Sequence, residues 1–226
     1  MTAIENTNRR FVSWAGRRPP AVVISTVWFL CLTAILFRQE WTRTKSVPLQ
    51  STNVATVPLF NAWTIGWNAV QLRDGFPDYW NAPVFFPETD AFAYSEPQPA
   101  TLLVAPVLWL TGSIISAYKA WLFLAVTLNG VVTGCLLRRL GYRPLLQIVG
   151  GTAVMMLPVV WQRIDVSQLI SLWGILWFWS CLMQLGKAAS LGKGVETGIA
   201  FGCCFALCVH HSLFLALLTP AGALLL

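Results

Sequence analysis

Charge is what this chain has least of. Of its 226 residues, 15 are basic and 9 acidic, 11% in all. Soluble domains spend about a quarter of their residues on Asp, Glu, Lys and Arg. So little charge does not cover a water-facing surface around a chain that is 56% hydrophobic, with 12 Trp and 13 Phe. The shortage excludes an ordinary soluble enzyme, a disordered chain and a disulfide-stapled secreted module. What remains is an integral membrane protein. The net charge of +6 then reports loop topology and not a nucleic-acid partner. Histidine is scarce too, with His210 and His211 alone. The six cysteines (Cys31, Cys135, Cys181, Cys203, Cys204, Cys208) all fall in apolar helical stretches and read as small packing residues. No carboxylate shares the outer half of the segment holding Cys203, Cys204 and Cys208, so a metal site built on cysteine is not expected.

The apolar runs define the expected fold class, an all-α polytopic membrane helix bundle of about five to six spans. Residues 21–37 form an uncharged first helix behind a basic segment, 1–20, with Pro19 and Pro20 just before it. The basic lead is long and no small-x-small cleavage site follows Phe37, so the helix reads as retained. Further spans are expected at 116–137, 145–161 (kinkable at Pro158), 168–185, 195–209 and 212–226. The last two are short against the roughly 20 residues a crossing needs, and read equally as one long helix interrupted at His210 and His211. The glycine pairs Gly130/Gly134 and Gly194/Gly198/Gly202 have the spacing that lets helix backbones approach closely in lipid. Residues 101–111 are apolar but too short to cross, with Pro106 in the middle, and are placed at the outer interface or half-inserted.

The charges order these spans. With the N-terminus cytoplasmic, nine basic residues (Arg9, Arg10, Arg17, Arg18, Arg138, Arg139, Arg143, Lys187, Lys193) face Glu5 and Glu196 inside, a net of +7, while the outer segments total −1. This is the positive-inside pattern. It makes 38–113 one extracytoplasmic loop and 114–226 the remaining helices, and it locates the protein in the plasma (bacterial inner) membrane. The chain stops at TPAGALLL inside an apolar run, and further helices are expected beyond Leu226.

That outer loop holds six of the nine acids, eight of the thirteen prolines and, between Phe60 and Tyr94, ten aromatics. Residues 58–72 have the pattern of an amphipathic helix, lying in the membrane interface or else buried in a small extracytoplasmic subdomain. Pro58 suits a first turn; Leu59, Trp63, Trp67 and Val70 share one face, with Asn61, Thr64, Asn68 and Gln71 opposite. Residues 73–99 have no period, and their prolines forbid a long helix or a central strand. Aromatic faces there would stack on sugar rings or lipid chains, and carboxylates would hold hydroxyls or a divalent metal; an interfacial aromatic belt accounts for the same residues.

A first helix followed by a large outer loop, then YWNAPVFFP (79–87), SEPQP (95–99), TLLVAPVLWLTG and a helix ending in LLRRLG (136–141), resembles the N-terminal half of the GT-C superfamily of polyprenyl-phosphate-dependent membrane glycosyltransferases. The resemblance implies transfer of a sugar from a lipid-linked phosphate to an acceptor at the outer face. An acid of the first outer loop would serve as general base, or would hold a metal in metal-dependent members. Carried onto this sequence, it makes Glu40, Asp78 and Glu96 the catalytic candidates. Arg163 and Lys119 are candidates for the phosphate, and His210, His211, Trp80 and Tyr94 for other substrate contacts. No cofactor is fixed by the residues; a divalent metal is compatible with them. The expected partners are the lipid bilayer and a polyprenyl-phosphate-linked sugar. Relatives carry an Asp before the interfacial helix where this chain has STNVATVP, with Asn53 and no carboxylate. An amide is no base, and this favours a second reading: a non-catalytic binder of lipid-linked sugar, a flippase-like partner or an inactive fragment. A small transporter is disfavoured, since there is no repeat and little midplane charge.

Overall fold

The structure is a computed structural model that describes residues 21–42, 56–85 and 87–223. The basic segment 1–20 and Asn53 lie outside the described residues. In chain order the helices are α1 (Ala21–Leu36), α2 (Arg38–Thr42), α3 (Thr56–Asp74), α4 (Ala105–Thr111), α5 (Ile114–Arg139), α6 (Pro144–Met155), α7 (Pro158–Gln162), α8 (Trp173–Lys187), α9 (Leu191–Leu207) and α10 (Val209–Ala223), with 3-10 turns at Ala91–Tyr94 and Pro99–Val104. Every regular element among the described residues is helical.

Among the described residues, two stretches are long and apolar enough to cross a membrane, Ile114–Arg139 and Pro144–Gln162. The expectation of five to six spans therefore holds by length for two of them. The shortening has local causes. The run 168–185 becomes helical only at Trp173, because buried Asn129 of α5 accepts from the Trp173 amide (2.9 Å) and donates to the Ile170 carbonyl (2.8 Å). That pair holds 170–173 as a turn. The run 145–161 breaks before Pro158, where Leu157 is extended, as residues preceding proline are. Residues 191–223 form two helices, and the break falls at Cys208 (φ −158°, ψ 116°), not at the histidines. Pro106 lies in the first turn of α4, where its missing N–H costs no hydrogen bond, so it does not interrupt that helix.

α5 is the axis of the core. Trp121, Tyr118, Leu122, Ala125 and Val126 are fully buried against α1, α3 and the 155–173 segment. Phe29 of α1 enters a notch made by Gly130, Gly134 and Gly151. A methyl group built on Gly130 would lie 2.8 Å from the Phe29 ring and 2.5 Å from Met155 Sδ, and one on Gly151 would lie 2.7 Å from the Gly130 carbonyl. The Gly130/Gly134 pair is thus a packing device. A methyl on Gly194, Gly198 or Gly202 would meet nothing within 4 Å, so that stripe packs on nothing among the described residues. A smaller cluster of Phe178, Cys181, Leu182, Ala200, Cys204 and Leu215 joins α8, α9 and α10.

The helix ends sort by charge. Arg139 at the end of α5 bonds Glu196 of α9 (2.8 Å) and Ser180 of α8 (3.2 Å), and Lys193 reaches the Gln184 carbonyl (3.1 Å). At the other end Lys119 donates to the Glu40 carbonyl (2.6 Å), and Asn61 to the Asp165 carbonyl (3.1 Å).

Candidate functional site

α3 is built inside out. The amide face expected to oppose the buried one is itself buried: Asn61, Thr64, Asn68 and Gln71 face inward, while Leu59 and Val70 are exposed. The reason is that a second polar strip lies beneath it. Asn68 Nδ2 donates to the carbonyls of Pro97 (2.8 Å) and Gln98 (3.1 Å) and to Thr101 Oγ1 (2.8 Å), and its Oδ1 accepts from the Tyr79 hydroxyl (2.9 Å). One asparagine thereby satisfies backbone carbonyls that the prolines of SEPQP keep out of any ladder. Tyr79 is partly enclosed by Trp80 and Phe92, and burial pushes its phenol up to about 12.

Gln98 is the hub of this layer. It is buried, and its backbone is left-handed (φ 45°, ψ 54°), a region a non-glycine residue occupies only when its surroundings over-determine it. Its side-chain Nε2 donates to Asn61 Oδ1 (2.9 Å) and Gln168 Oε1 (3.4 Å), and its Oε1 accepts from Ser167 Oγ (3.0 Å). The loop before α4, helix α3 and the 163–172 turn are thus tied at one point, two residues from Glu96.

Glu96 faces the start of α10. One carboxylate oxygen accepts from the Val209 amide (3.3 Å), and the other is paired with His210 Nδ1. Glu96 is half-buried and His210 exposed. Cys208, the residue before α10, is buried, and its backbone is extended where the chain leaves α9. Beside these residues opens a cleft of about 710 Å³, lined by Thr56, Val57, Phe60 and Asn61 of α3, by Ala93, Tyr94, Ser95 and Glu96, and by Gln168, Val209 and His210. No family model, curated protein or solved structure matches the chain.

Of the residues singled out in the sequence, the fold brings Glu96, His210 and Tyr94 to this one cleft. The others lie outside its lining. Asp78 and Trp80 border a second, smaller hollow of about 420 Å³ with Phe76, Tyr79, Asn81 and Asp90. Glu40 and Lys119 meet at the α1–α5 end. Arg163 is exposed on the turn after α7 and forms no ion pair with Asp165 among the described residues. His211 is half-buried behind His210.

Two expectations need correcting. A carboxylate does reach the cysteine segment: Glu96, Cys208 and His210 place one ligand atom each within 4.8 Å of one another. The sequence hides this because Glu96 arrives from the first loop, far away along the chain. The second concerns Asn61, Gln98 and Gln168, which support the site yet read in sequence as a polar helix face and loop residues. Their only signal is that they are amides, neither basic nor acidic, in a chain with little polar surface to offer. Chemically the cleft offers a carboxylate, an imidazole, two amides and the aromatic rings of Phe60 and Tyr94.

Proposed function

We propose that the chain is a membrane glycosyltransferase-like protein that moves a sugar from a polyprenyl-phosphate donor to a hydroxyl acceptor at the extracytoplasmic face. The observation that carries this reading is the meeting of Glu96 and His210 at the Tyr94-lined cleft. An acceptor oxygen that attacks the anomeric carbon forms the new glycosidic bond as the sugar–phosphate C–O bond breaks. The electron pair leaves with the polyprenyl phosphate, and the acceptor proton passes to the carboxylate of Glu96, within hydrogen-bond reach of the cleft. Phe60 and Tyr94 offer faces for the sugar ring, and Asn61 and Gln168 offer hydrogen bonds to its hydroxyls. A lipid-embedded donor is supported by the large apolar side chains on the outside of the bundle. Val27 and Ile35 on α1, Leu145 on α6, Ile199 on α9 and Leu217 on α10 are all exposed, as lipid-facing residues are and water-facing ones rarely are in such number.

The test measures polyprenyl phosphate released from a labelled polyprenyl-phosphate sugar by membranes that hold the chain. This readout does not require the acceptor to be known beforehand if a cell lysate supplies it. The Glu96→Gln variant is expected to lose about 100-fold or more, in the range of general-base contributions. Glu40→Ala and Asp78→Ala, both outside the cleft, are expected to lose far less. Unchanged release from all three variants would sink the reading. The second reading, a non-catalytic binder of the same lipid-linked sugar, rests on Asn53 standing where relatives carry an acid; saturable donor binding with no release would favour it.

A further inference from the structure

We infer that Glu96, Cys208 and His210 form a zinc site with one coordination position open to the 710 Å³ cleft. Three observations carry the inference. The donor set is one carboxylate oxygen, one thiol sulfur and one imidazole nitrogen, all within 4.8 Å of one another. Tetrahedral zinc bound at about 2.0–2.3 Å sets its ligand atoms roughly 3.3–3.8 Å apart, so small side-chain rotations bring these three to the metal. A sulfur ligand with an imidazole and a single carboxylate selects zinc over magnesium or calcium, which take oxygen.

The second observation is how the sulfur is held. The chain leaves helical geometry at Cys208 and re-enters it at Val209. The break sets the Cys208 sulfur beside Glu96 and His210 at the start of α10. The thiolate is the form that binds metal. Bound zinc displaces the thiol proton to solvent, and its two positive charges are matched by one thiolate and one carboxylate. Glu96 is held in turn by the Val209 amide (3.3 Å), so its carboxylate is oriented by the same helix start that supplies the other two ligands.

The third observation concerns the cleft. Among the described residues, none that lines the cleft is Lys or Arg, and both basic candidates, Lys119 and Arg163, lie elsewhere. A leaving phosphate needs a positive partner. Zinc with three protein ligands and one open position offers that charge to a phosphate oxygen, while the second oxygen of Glu96 remains to take the acceptor proton. This last step rests on the function proposed above; the presence of the metal does not.

Zinc binding by the purified full chain in detergent tests the site. After dialysis against metal-free buffer, elemental analysis is expected to find close to one zinc per chain. Cobalt substitution is expected to give a sulfur-to-metal charge-transfer band in the near ultraviolet. Cys208→Ser is expected to abolish that band and to weaken zinc binding on the order of 100-fold, at or beyond the upper end of what loss of a metal-site partner costs. Glu96→Gln should weaken it similarly, while Cys31→Ser, on the exposed side of α1, should change neither. Thermal unfolding of the zinc-free variants, unchanged from the zinc-free parent, shows that the fold is kept. No bound zinc at saturating metal, or full zinc binding by Cys208→Ser, overturns the inference. Failure here with Glu96-dependent sugar release intact removes the metal and leaves the proposed reaction. Zinc bound as expected with no release from any polyprenyl donor removes the reaction and leaves the site.

Discussion

Gln98 holds the site together at a conformational cost. Its side chain makes hydrogen bonds to Asn61, Gln168 and Ser167, and its left-handed backbone is one that glycine adopts freely. The two contributions separate by mutation. Gln98→Ala loses the hydrogen bonds, leaves buried partners without them, and keeps the strain; it is expected to destabilise by about 1–3 kcal/mol. Gln98→Gly loses the same bonds but relieves the backbone, and should sit above Gln98→Ala by roughly 1 kcal/mol. Thermal unfolding of both variants in detergent decides it; glycine below alanine would mean that the left-handed backbone is not strained. Tyr79 carries a second residue-scale consequence. Its phenol is pushed up to about 12 by burial, against an ordinary 10, so the native state keeps a proton that the unfolded chain releases above pH 10. Stability from this group is fully present below pH 10 and is lost as pH rises toward 12. Tyr79→Phe should flatten the fall in unfolding midpoint over that window, and an unaltered slope would show that Tyr79 does not contribute to it.

Glycines on two helices with the same spacing have opposite surroundings. Gly151→Ala would set a methyl against the Phe29 ring and 2.7 Å from the Gly130 carbonyl. A backbone oxygen does not move aside as a side chain does, so α5 and α6 must separate, at about 1–3 kcal/mol. Gly198→Ala meets nothing within 4 Å and gains up to about 1 kcal/mol of helix propensity. Unfolding midpoints that fall for Gly151→Ala and hold or rise for Gly198→Ala are the expected pair; equal losses would refute the notch. Spacing alone showed two candidate seams in the sequence, and only the approach of Phe29 from another helix distinguishes them. The same limit explains the other differences between sequence and structure. Helix existence was legible, since long apolar runs such as 114–139 have few alternatives. The start of α8 was not, because Asn129, 44 residues earlier, determines it. The orientation of α3 was misread for a related reason. Its Trp-bearing face is more apolar, yet the residues beneath the helix are carbonyls and amides, and Asn68 and Asn61 turn toward them. Of the candidate site, Glu96, His210 and Tyr94 were visible as residue types. Their convergence and the joining of Cys208 to them were not, because they depend on the break between α9 and α10.

Across the whole molecule, charge is segregated along the helix axes. Arg138, Arg139, Arg143, Lys187 and Lys193 cluster where α5 and α8 end and α6 and α9 begin, with Glu196 alone among them as an acid. The first-loop acids and Asp165 collect at the other end with the cleft. Basic residues next to spanning helices tend to stay on the cytoplasmic side during insertion, so the proposed function predicts that the cleft faces the extracytoplasmic side. The two ends differ in exposed positions suited to labelling, Glu88 in the loop and Lys187 after α8. In a chain whose native cysteines are replaced, the Glu88→Cys variant is expected to react with a membrane-impermeant maleimide in intact bacterial cells. The Lys187→Cys variant should react only after the membrane is permeabilised. The reverse pattern would place the cleft in the cytoplasm and exclude transfer at the outer face. Equal labelling of both in intact cells would mean that the two ends are not separated by a bilayer, and would remove the membrane topology on which the donor assignment rests.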